Sequence, residues 1–216
     1  MAPSVDGRIV TTRWKVPPSL YSEYERTART FDADAWMIGR ISMAPYAGKA
    51  KVQKRSTKQR IPRTDFVARR DARSYAIALD PSGRLSWSRN HIDGEHVVSI
   101  LAEAVSDDYL AFLRSKGVSY LFGGRRDIDL KKVLGKLARH FGIRTLLLEG
   151  GGKINGSFLA ADLIDEVSVL VAPVADGAIG QPSLFDMDGA RAPARRLKLV
   201  SVEKRRGDLV WLRYER

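Results

Sequence analysis

An unbroken apolar run that ends in three glycines is the feature that most constrains the fold of this chain. Residues 144–149 read Arg-Thr-Leu-Leu-Leu-Glu, residues 150–152 are all glycine, and the pattern after them predicts a helix over 155–161. Because the run does not alternate between apolar and polar residues, it predicts a strand in the middle of a sheet, covered on both faces. A strand, a glycine turn and a helix in this order are typical of an α/β fold.

Short strands and amphipathic helices alternate along most of the chain. Ser106 is the predicted N-cap of one helix, and Gly117 and Gly142 follow the last turns of two of them. The end of the chain alternates around Arg206-Gly207-Asp208, which predicts an antiparallel hairpin. We therefore expect a single domain over residues 1–216, with a mixed, mostly parallel central sheet and helices on both faces. The patterns predict helices over 21–31, 106–116 and 130–141, strands over 33–39, 74–80, 96–101, 118–122 and 167–172, and hairpin strands over 197–205 and 209–214.

The composition excludes several kinds of site. The 216 residues include no cysteine, so the chain has no disulfide, no thiolate metal ligand and no cysteine nucleophile. The histidines, His91, His96 and His140, show no metal-binding spacing, and we expect no metal site. The chain contains no run of about eighteen apolar residues, and its first residues lack the apolar core of a signal peptide. We therefore expect a cytoplasmic protein that does not span a membrane.

The net charge of +12 leaves three interpretations open. Many basic residues lie in a segment over 47–73 that has no apolar period, and we expect it to be a long excursion with little regular structure. Such a segment can be a solvated loop, a site for a phosphorylated small molecule or a nucleic-acid surface. Phe66 is its only aromatic residue, which disfavours the stacking of single-stranded bases. Nucleic acid is therefore the least expected partner.

The glycine turn suits an anion. Backbone amides and the positive end of the helix dipole converge after Gly150, Gly151 and Gly152, where side chains would hold a pyrophosphate away from the amides. Glycine clusters between a strand and a helix also occur only to permit a tight turn. The dinucleotide pattern GxGxxG fails because its third position is Asn155, and no acidic residue follows at the expected distance. A Rossmann domain is therefore disfavoured.

The ends of two predicted strands carry further candidates. Glu149 ends the apolar strand, where a carboxylate either accepts hydrogen bonds from a polar ring or caps nearby amides. Gly39, Arg40 and Ser42 lie at the end of the strand over 33–39 and can meet a phosphate, such as the 2′-phosphate of an adenosine. An Arg40 side chain that only faces solvent fits the same pattern.

Six segments, spread over nearly the whole chain, share their order and spacing with one family. They read Ser4-Val5-Asp6-Gly7-Arg8-Ile9, Asp34-Ala35-Trp36-Met37-Ile38-Gly39-Arg40, Leu79-Asp80-Pro81-Ser82-Gly83-Arg84-Leu85, Leu148-Glu149-Gly150-Gly151-Gly152-Lys153-Ile154-Asn155, Leu163-Ile164-Asp165-Glu166-Val167 and Ala172-Pro173. With these segments the chain resembles the C-terminal reductase domain of the bifunctional riboflavin-biosynthesis deaminase-reductase, and the dihydrofolate-reductase-like proteins grouped with that domain.

The resemblance implies a dihydrofolate-reductase-like three-layer fold, NADPH as the hydride donor, and a homodimer. It implies that Glu149 is catalytic and touches the substrate together with Ser4 and Trp14, and it makes Asp6 a candidate proton donor. Residues 151–157 would cradle the cofactor phosphates. Cofactor contacts are implied for Gly39, Arg40, Ser42, Pro81, Gly150, Gly151, Gly152, Lys153, Ile154 and Asn155.

The chain also departs from this family. The family's riboflavin enzymes carry an Asp-Asp-Pro-x-Leu segment that helps to hold a ribose phosphate, whereas this chain reads Ala44-Pro45-Tyr46-Ala47-Gly48-Lys49 there. Because this segment differs, the resemblance does not establish a pyrimidine as the substrate. We expect the zinc deaminase domain that often precedes the reductase to be missing, consistent with the absence of cysteine. Only Met1-Ala2-Pro3 precede Ser4, where relatives have about half a strand more, so we expect a start codon assigned too late or a shortened chain.

We expect a reductase that transfers a hydride from NADPH to a C=N or C=O carbon of a heterocyclic or sugar-derived substrate, such as a pyrimidine or a pteridine. The alternative from another class is an inactive protein on the same fold, which binds nucleotides or nucleic acid through the basic segment over 49–73. A true dihydrofolate reductase is disfavoured because the early helix offers no convincing carboxylate for that substrate.

Overall fold

The computed structural model describes residues 1–52, 60–187 and 194–216. Contacts divide the chain into two compact units. The first unit consists of Met1–Asp32 and Glu149–Arg216, and the second consists of Ala33–Leu148. Lys54, Arg55 and Lys58, which belong to the expected basic excursion, lie outside the described residues.

The regular elements alternate between helix and strand, as the sequence predicts. A short 3₁₀ turn, Thr11–Arg13, precedes them. In chain order they are α1 (Ser19–Arg29), β1 (Ala35–Gly39), α2 (Arg40–Ala47), β2 (Tyr75–Leu79), β3 (His91–Ile92), β4 (Glu95–Ala102), α3 (Asp107–Ser115), β5 (Ser119–Gly124), α4 (Leu130–Phe141), β6 (Leu146–Gly150), α5 (Gly152–Ala160), β7 (Glu166–Val171), β8 (Lys198–Lys204) and β9 (Val210–Glu215).

A mixed sheet of six strands lies mainly in the second unit. Its strand order in the described residues is β3-β4-β2-β1-β6, and β5 pairs with β4. Strands β1, β2, β4 and β5 pair in parallel, with Gly39 opposite Leu79 and Leu79 opposite Ile100, whereas β3 is antiparallel to β4. Ile77, Ile100 and Leu121 are fully buried, which explains the nearly continuous apolar runs of these strands. The predicted mixed, mostly parallel sheet is confirmed.

The position of β6 differs from the prediction. In the described part of the chain, β6 lies at one end of the strand order, next to β1. Its residues Leu146, Leu147 and Leu148 are only half-buried. An unbroken apolar run indicates that neither face is fully exposed, but it carries no information about how many strands flank it. The expected place in the middle of the sheet is therefore wrong.

A second, antiparallel sheet belongs to the first unit. Its strand order is β7-β9-β8, and β8 and β9 form the predicted C-terminal hairpin. Gly207 and Asp208 turn the chain between these strands with positive φ values of 75° and 58°. Leu170, Leu209 and Trp211 pack with residues of α1 in the core of this unit. The predicted hairpin is confirmed.

The N-terminal residues lie along β7. The carbonyl of Met1 accepts a hydrogen bond from the amide of Leu170 at 2.9 Å, and the carbonyl of Pro3 accepts one from Ala172 at 2.8 Å. Next, the amide of Val5 donates to the carbonyl of Val174 at 2.8 Å. This pairing brings the segment that starts at Ser4 next to the loop that follows β7.

Most helix ends match the prediction, but three elements do not. Ser106 caps α3 by accepting from the amide of Tyr109 at 3.2 Å, and Gly142 ends α4 with φ of 70°. Helix α2 was not predicted, because it is short and contains Pro45, which removes a helical donor. The two-residue strand β3 was also missed, and α5 begins three residues before its predicted start at 155.

Candidate active site

The glycine turn joins β6 to α5 in the first unit. Gly150 is the last residue of β6 and has φ of 93°, a conformation that L side chains rarely adopt. Gly151 is the N-cap of α5, and its carbonyl accepts from the amides of Ile154 and Asn155 at 3.1 and 3.2 Å. The amides of Gly152 and Lys153 belong to the first turn, where a helix has no acceptor of its own. The turn therefore places first-turn amides of a helix directly after the glycines, and an anion site there stays a prediction.

Two of the glycines are explained by packing instead of by a ligand. A Cβ atom on Gly152 would overlap the carboxylate of Asp186 and the carbonyl of Ser183. A Cβ atom on Gly156 would overlap the carbonyl of Asp186. The amide of Asp186 also donates to the carbonyl of Gly152 at 2.9 Å. The expected reason for glycine at 152, room for a pyrophosphate, is therefore replaced by the close approach of residues 183–186.

Asn155 leaves a buried acceptor beside this turn. Its Nδ2 donates to the carbonyl of Leu184 at 2.9 Å, and only 3% of the residue is exposed. Its Oδ1 is buried and has no hydrogen-bond partner within the described part of the chain. A nicotinamide dinucleotide carries hydroxyl and carboxamide donors, and its diphosphate accepts hydrogen bonds from helix amides. The turn and Asn155 therefore fit such a cofactor.

The other predicted residues of α5 have different surroundings. Ile154 is buried, so only its amide belongs to the turn. Lys153 and Ser157 are exposed, and the Ser157 hydroxyl donates to the carbonyl of Lys153 at 2.8 Å. Lys153 and Ile154 lie in the first turn of α5, before the predicted start of this helix at residue 155.

Glu149 lies half-buried next to the end of β6. Burial lowers the pKa of the Met1 amino group, and attraction to Glu149 acts in the opposite direction. The carboxylate thus lies near the chain's amino group. A substrate contact of Glu149 stays a prediction.

Ser4 and Asp6 form an anchor for the loop after β7. The Asp6 carboxylate accepts from the amides of Asp176 and Gly177, each at 2.9 Å, and from the Ser4 hydroxyl at 2.7 Å. The Ser4 hydroxyl also accepts from the amide of Arg8 at 2.9 Å, and Ser4 is only 1% exposed. The backbone and hydroxyl donors hold the pKa of Asp6 well below its usual range.

These contacts bear on two predictions, which stay predictions. Asp6 is held as a carboxylate, so the geometry argues against its predicted role as the proton donor. Ser4 is buried with its hydroxyl engaged inside the chain, which argues against the predicted substrate contact through that hydroxyl. Both residues act on the loop after β7 through hydrogen bonds.

Trp14 contacts the same loop. Its Nε1 donates to the carboxylate of Asp176, and Arg13 lies 3.4 Å from that carboxylate. Asp176 also accepts from the amide of Ala178 at 3.0 Å. Asp176 is not among the residues that the sequence predicts for the site. The Asp176-Gly177 turn signal could have indicated a structured loop, although it contains no information about the Trp14 partner.

The carboxyl ends of β1 and β2 lie side by side in the second unit, because these strands are parallel and in register. Gly39 is the N-cap of α2 without a side-chain cap, and a Cβ atom on it would meet no heavy atom of the described residues within 4 Å. Arg40, half-buried, begins α2, whereas Ser42 is exposed. Pro81 lies two residues after the end of β2. The open space at Gly39 and the guanidinium of Arg40 at the end of β1 are compatible with a bound phosphate group.

Asp80 is a buried carboxyl group at the end of β2, named above only within one of the family segments. Its Oδ2 accepts from the amides of Arg84 and Leu85 at 2.7 and 2.9 Å and from the Tyr109 hydroxyl at 3.2 Å. Burial raises the pKa of Asp80, while these donors and the charge of Arg40 oppose the rise. This network fixes the turn that carries Pro81.

Neither a metal cluster nor a membrane-spanning helix is found in the described ranges. No three His, Asp or Glu side chains there are grouped in a way that could hold a metal ion. No described helix is long and apolar enough to cross a bilayer.

The sequence is similar to one family over nearly all of its length. The profile of the family described as RibD C-terminal domain matches residues 1–211. Over 99 residues, 46% of this chain, the sequence is 34% identical to the 2,5-diamino-6-ribosylamino-4(3H)-pyrimidinone 5′-phosphate reductase of Methanothermobacter thermautotrophicus. That match covers 45% of the archaeal protein, less than half of its length.

Two solved structures share the fold. A pyrimidine reductase-like protein from Corynebacterium diphtheriae superposes with a TM-score of 0.72 at 17% identity, over 99% of this chain and 88% of that one. RibD of Acinetobacter baumannii superposes with a TM-score of 0.70 at 22% identity, over 100% of this chain and 56% of that one. The predicted reductase fold is confirmed.

Proposed function

Because the chain belongs to the RibD C-terminal domain family, we propose that it is a reductase that transfers a hydride from a nicotinamide dinucleotide to a heterocyclic substrate carrying a sugar phosphate. The curated relative is named for the reduction of a pyrimidinone that bears a ribose phosphate, and the same class of substrate is proposed here. The observation that carries the proposal is the glycine turn at the start of α5, which lies inside the matched region.

The residues of this chain would bind and orient the reactants. The cofactor, when bound, supplies the hydride. First-turn amides of α5 and the backbone of Gly150 and Gly151 would hold its diphosphate, and Asn155 Oδ1 would accept a hydrogen bond from one of its hydroxyl or amide groups. Glu149 would orient the substrate through its carboxylate. The contribution of the protein to the rate is then placement of the reacting carbon.

We propose NADPH as the preferred cofactor. Arg40 follows an open glycine at the end of β1, and a guanidinium there can form paired hydrogen bonds to a 2′-phosphate. Ser42 and Pro81 would line the same part of the cofactor. Asp80, whose charge interacts with Arg40, would limit the freedom of the guanidinium.

Two broader properties belong to the same proposal. The family resemblance supports a homodimer and a cytoplasmic location. The family segment for the ribose phosphate is absent between 44 and 49, so a different group would hold that phosphate here. Basic residues of the segment over 60–73 are the candidates for this role.

The test is a titration with NADPH and with NADH, followed by nicotinamide fluorescence. We expect NADPH to bind more tightly than NADH. Arg40→Ala should weaken the binding of NADPH about tenfold and leave the binding of NADH nearly unchanged. Arg139→Ala, which removes an exposed arginine of α4, is the matched control. Equal affinities for both cofactors would refute the role of Arg40.

Turnover separates the enzyme from an inactive binding protein. With the pyrimidinone ribose phosphate as substrate, oxidation of the cofactor should match product formation. Cofactor binding without any turnover would favour the inactive alternative. Binding to an oligonucleotide that falls steeply with salt, with no response to NADPH, would point to a polyanion-binding protein.

A further inference from the structure

The loop after β7, over residues 174–186, is held by the N-terminal segment at two places. Near the start of the loop, the amide of Asp176 donates to the Asp6 carboxylate at 2.9 Å. Further along, the guanidinium of Arg8 donates to the carbonyl of Gln181 at 2.8 Å. The backbone is therefore fixed on either side of a short stretch between the two anchors.

Ile179 forms the tip of the loop between these anchors. Its side chain is 97% exposed, more than any other large apolar side chain that the structure describes. Gly177 and Gly180 flank the tip with positive φ values of 66° and 73°. A Cβ atom on either glycine would meet no described heavy atom within 4 Å. The tip can therefore rotate about two unpacked glycines while the rest of the loop stays in place.

The far end of the loop packs on the first turn of α5. A Cβ atom on Gly152 would lie 2.4 Å from the carbonyl oxygen of Ser183, and the amide of Asp186 donates to the carbonyl of Gly152 at 2.9 Å. Ile179 precedes Ser183 by four residues in the sequence, so their Cα atoms lie at most about 14 Å apart. The exposed isoleucine is therefore within reach of a molecule bound at the glycine turn.

We propose that Ile179 is a contact residue that packs on the planar ring of a reactant bound beside the glycine turn, and that rotation at Gly177 and Gly180 brings it there. The inference rests on the proposed function and adds to it a residue that keeps water from the reacting ring. Burial of an isoleucine side chain changes a binding constant about tenfold or more. The competing arrangement is an isoleucine that stays in solvent, as single apolar side chains commonly do.

Two titrations test the contact and distinguish the two rings, the nicotinamide and the heterocycle of the substrate. NADPH is titrated alone and followed by nicotinamide fluorescence, and the pyrimidinone ribose phosphate is titrated by turnover at saturating NADPH. Ile179→Ser should raise the dissociation constant of NADPH about tenfold if the nicotinamide is the ring in contact. If the ring in contact belongs to the substrate, Ile179→Ser should raise the KM of the substrate by that factor instead. Ile179→Leu, which keeps an apolar side chain, should restore most of the loss.

The control for these titrations is Tyr21→Ser. Tyr21 is a 65% exposed apolar residue of α1, and its replacement should change neither constant. An active wild type whose two constants are the same in Ile179→Ser overturns the contact and keeps the reductase. A wild type that neither binds NADPH nor turns over overturns the proposed function, and the inference falls with it.

Hydrogen exchange tests the movement of the tip without turnover. Saturating NADPH and product should slow deuterium exchange at the amides of Ile179 and Gly180 about tenfold, and Ile179→Ser should remove most of this protection. The amide of Asp176, which is bonded to Asp6, should be protected with and without the ligands. Exchange at the tip that the bound ligands do not slow overturns the closure.

The pivot is tested by Gly180→Ala. A residue with a side chain rarely adopts the positive φ of Gly180 and rotates less freely, so kcat should fall several-fold. Gly94→Ala is the matched control, because Gly94 also has a positive φ, 91°, and a Cβ atom on it meets no described heavy atom within 4 Å. Its kcat should equal that of the wild type. Equal kcat values for all three proteins would overturn the rotation at Gly180.

Discussion

The carboxylate of Asp6 accepts a hydrogen bond from the amide of Asp176 at 2.9 Å, across 170 residues of sequence. The amide of Gly177 donates to the same carboxylate. Trp14 Nε1 donates a hydrogen bond to the side chain of Asp176. Three residues that the family resemblance assigns to catalysis or substrate binding, Ser4, Asp6 and Trp14, therefore all contact or support one loop. Their first role in this structure is to position that loop.

Asp6→Asn should loosen this loop. The amide of asparagine can accept fewer hydrogen bonds than the carboxylate, so the amides of residues 176–178 should exchange with deuterium faster at pH 7. The pKa of Asp6 is lowered in the folded state, so its stabilising effect is complete above the ordinary value of 3.8 and is lost as the pH falls below it. The difference between wild type and variant should therefore vanish in acid.

The control for this measurement is Asp71→Asn. The Asp71 side chain is 86% exposed and forms an ion pair with Arg69 at 3.2 Å. The Asp71→Asn substitution should not change the rate of deuterium exchange at the amides of residues 176–178. Unchanged exchange in Asp6→Asn at pH 7 would show that Asp6 does not anchor the loop.

Gly152→Ala should destabilise the protein by about 1–3 kcal/mol. The added methyl group would overlap the Asp186 carboxylate and the Ser183 carbonyl, so residues 183–186 would have to shift. Gly135→Ala is the matched control, because a Cβ atom on this residue of α4 meets no described heavy atom within 4 Å. Removal of a helical glycine should add about 0.5–1 kcal/mol of stability. The midpoints of urea unfolding measure the stability of the two variants. A Gly152→Ala variant that is as stable as the wild type would contradict the packing role of Gly152.

The glycine turn and the alternation of elements could be predicted because both depend on local chemistry. Gly150 ends an apolar strand, and its positive φ follows from the local need for glycine in a tight turn. Ser106 and Gly142 act on amides and carbonyls within one helical turn. Such signals need no distant partner.

The contacts of the candidate site residues could not be predicted in the same way. The roles of Asp6 and Gly152 are set by Asp176 and Asp186, which lie far away in the chain. The place of β6 depends on which strands flank it, and its apolar run reports only burial. Helix α2 was missed because Pro45 is a local signal against a helix that the surrounding structure overrides.

Tyr109→Phe should lower the free energy of unfolding by about 1–3 kcal/mol. The hydroxyl donates towards Asp80 Oδ2 at 3.2 Å and the carbonyl of Leu85 at 3.0 Å, and its removal leaves buried acceptors short of a donor. The pKa of Asp80 should rise further, since the hydroxyl bond favours the ionised form. Tyr21→Phe is the control, because Tyr21 is 65% exposed. Equal unfolding midpoints for the two variants would contradict the role of this hydroxyl.

His96 should make the stability of the protein depend on pH between about 6.5 and 4. Burial, with a smaller contribution from the charge of Arg69, lowers the pKa of His96 from 6.5 to about 4, and its Nε2 lies 2.8 Å from the Ser119 hydroxyl. Because the folded pKa is below the unfolded one, the neutral ring stabilises the fold fully above pH 6.5, and that contribution falls as the pH drops towards 4. The shift corresponds to roughly 3 kcal/mol, at about 1.4 kcal/mol for each pKa unit.

His96→Gln isolates this contribution, because glutamine can keep a hydrogen bond to Ser119 but does not titrate. The free energy of unfolding, measured by urea at several pH values, should fall more steeply in acid for the wild type than for the variant. The His96 ring protons should titrate near pH 4 in NMR spectra. The prediction would be contradicted if the free energy of unfolding depended on pH in the same way for wild type and variant. An NMR titration midpoint of His96 near pH 6.5 would also contradict it, because protonation of the ring would then not destabilise the fold.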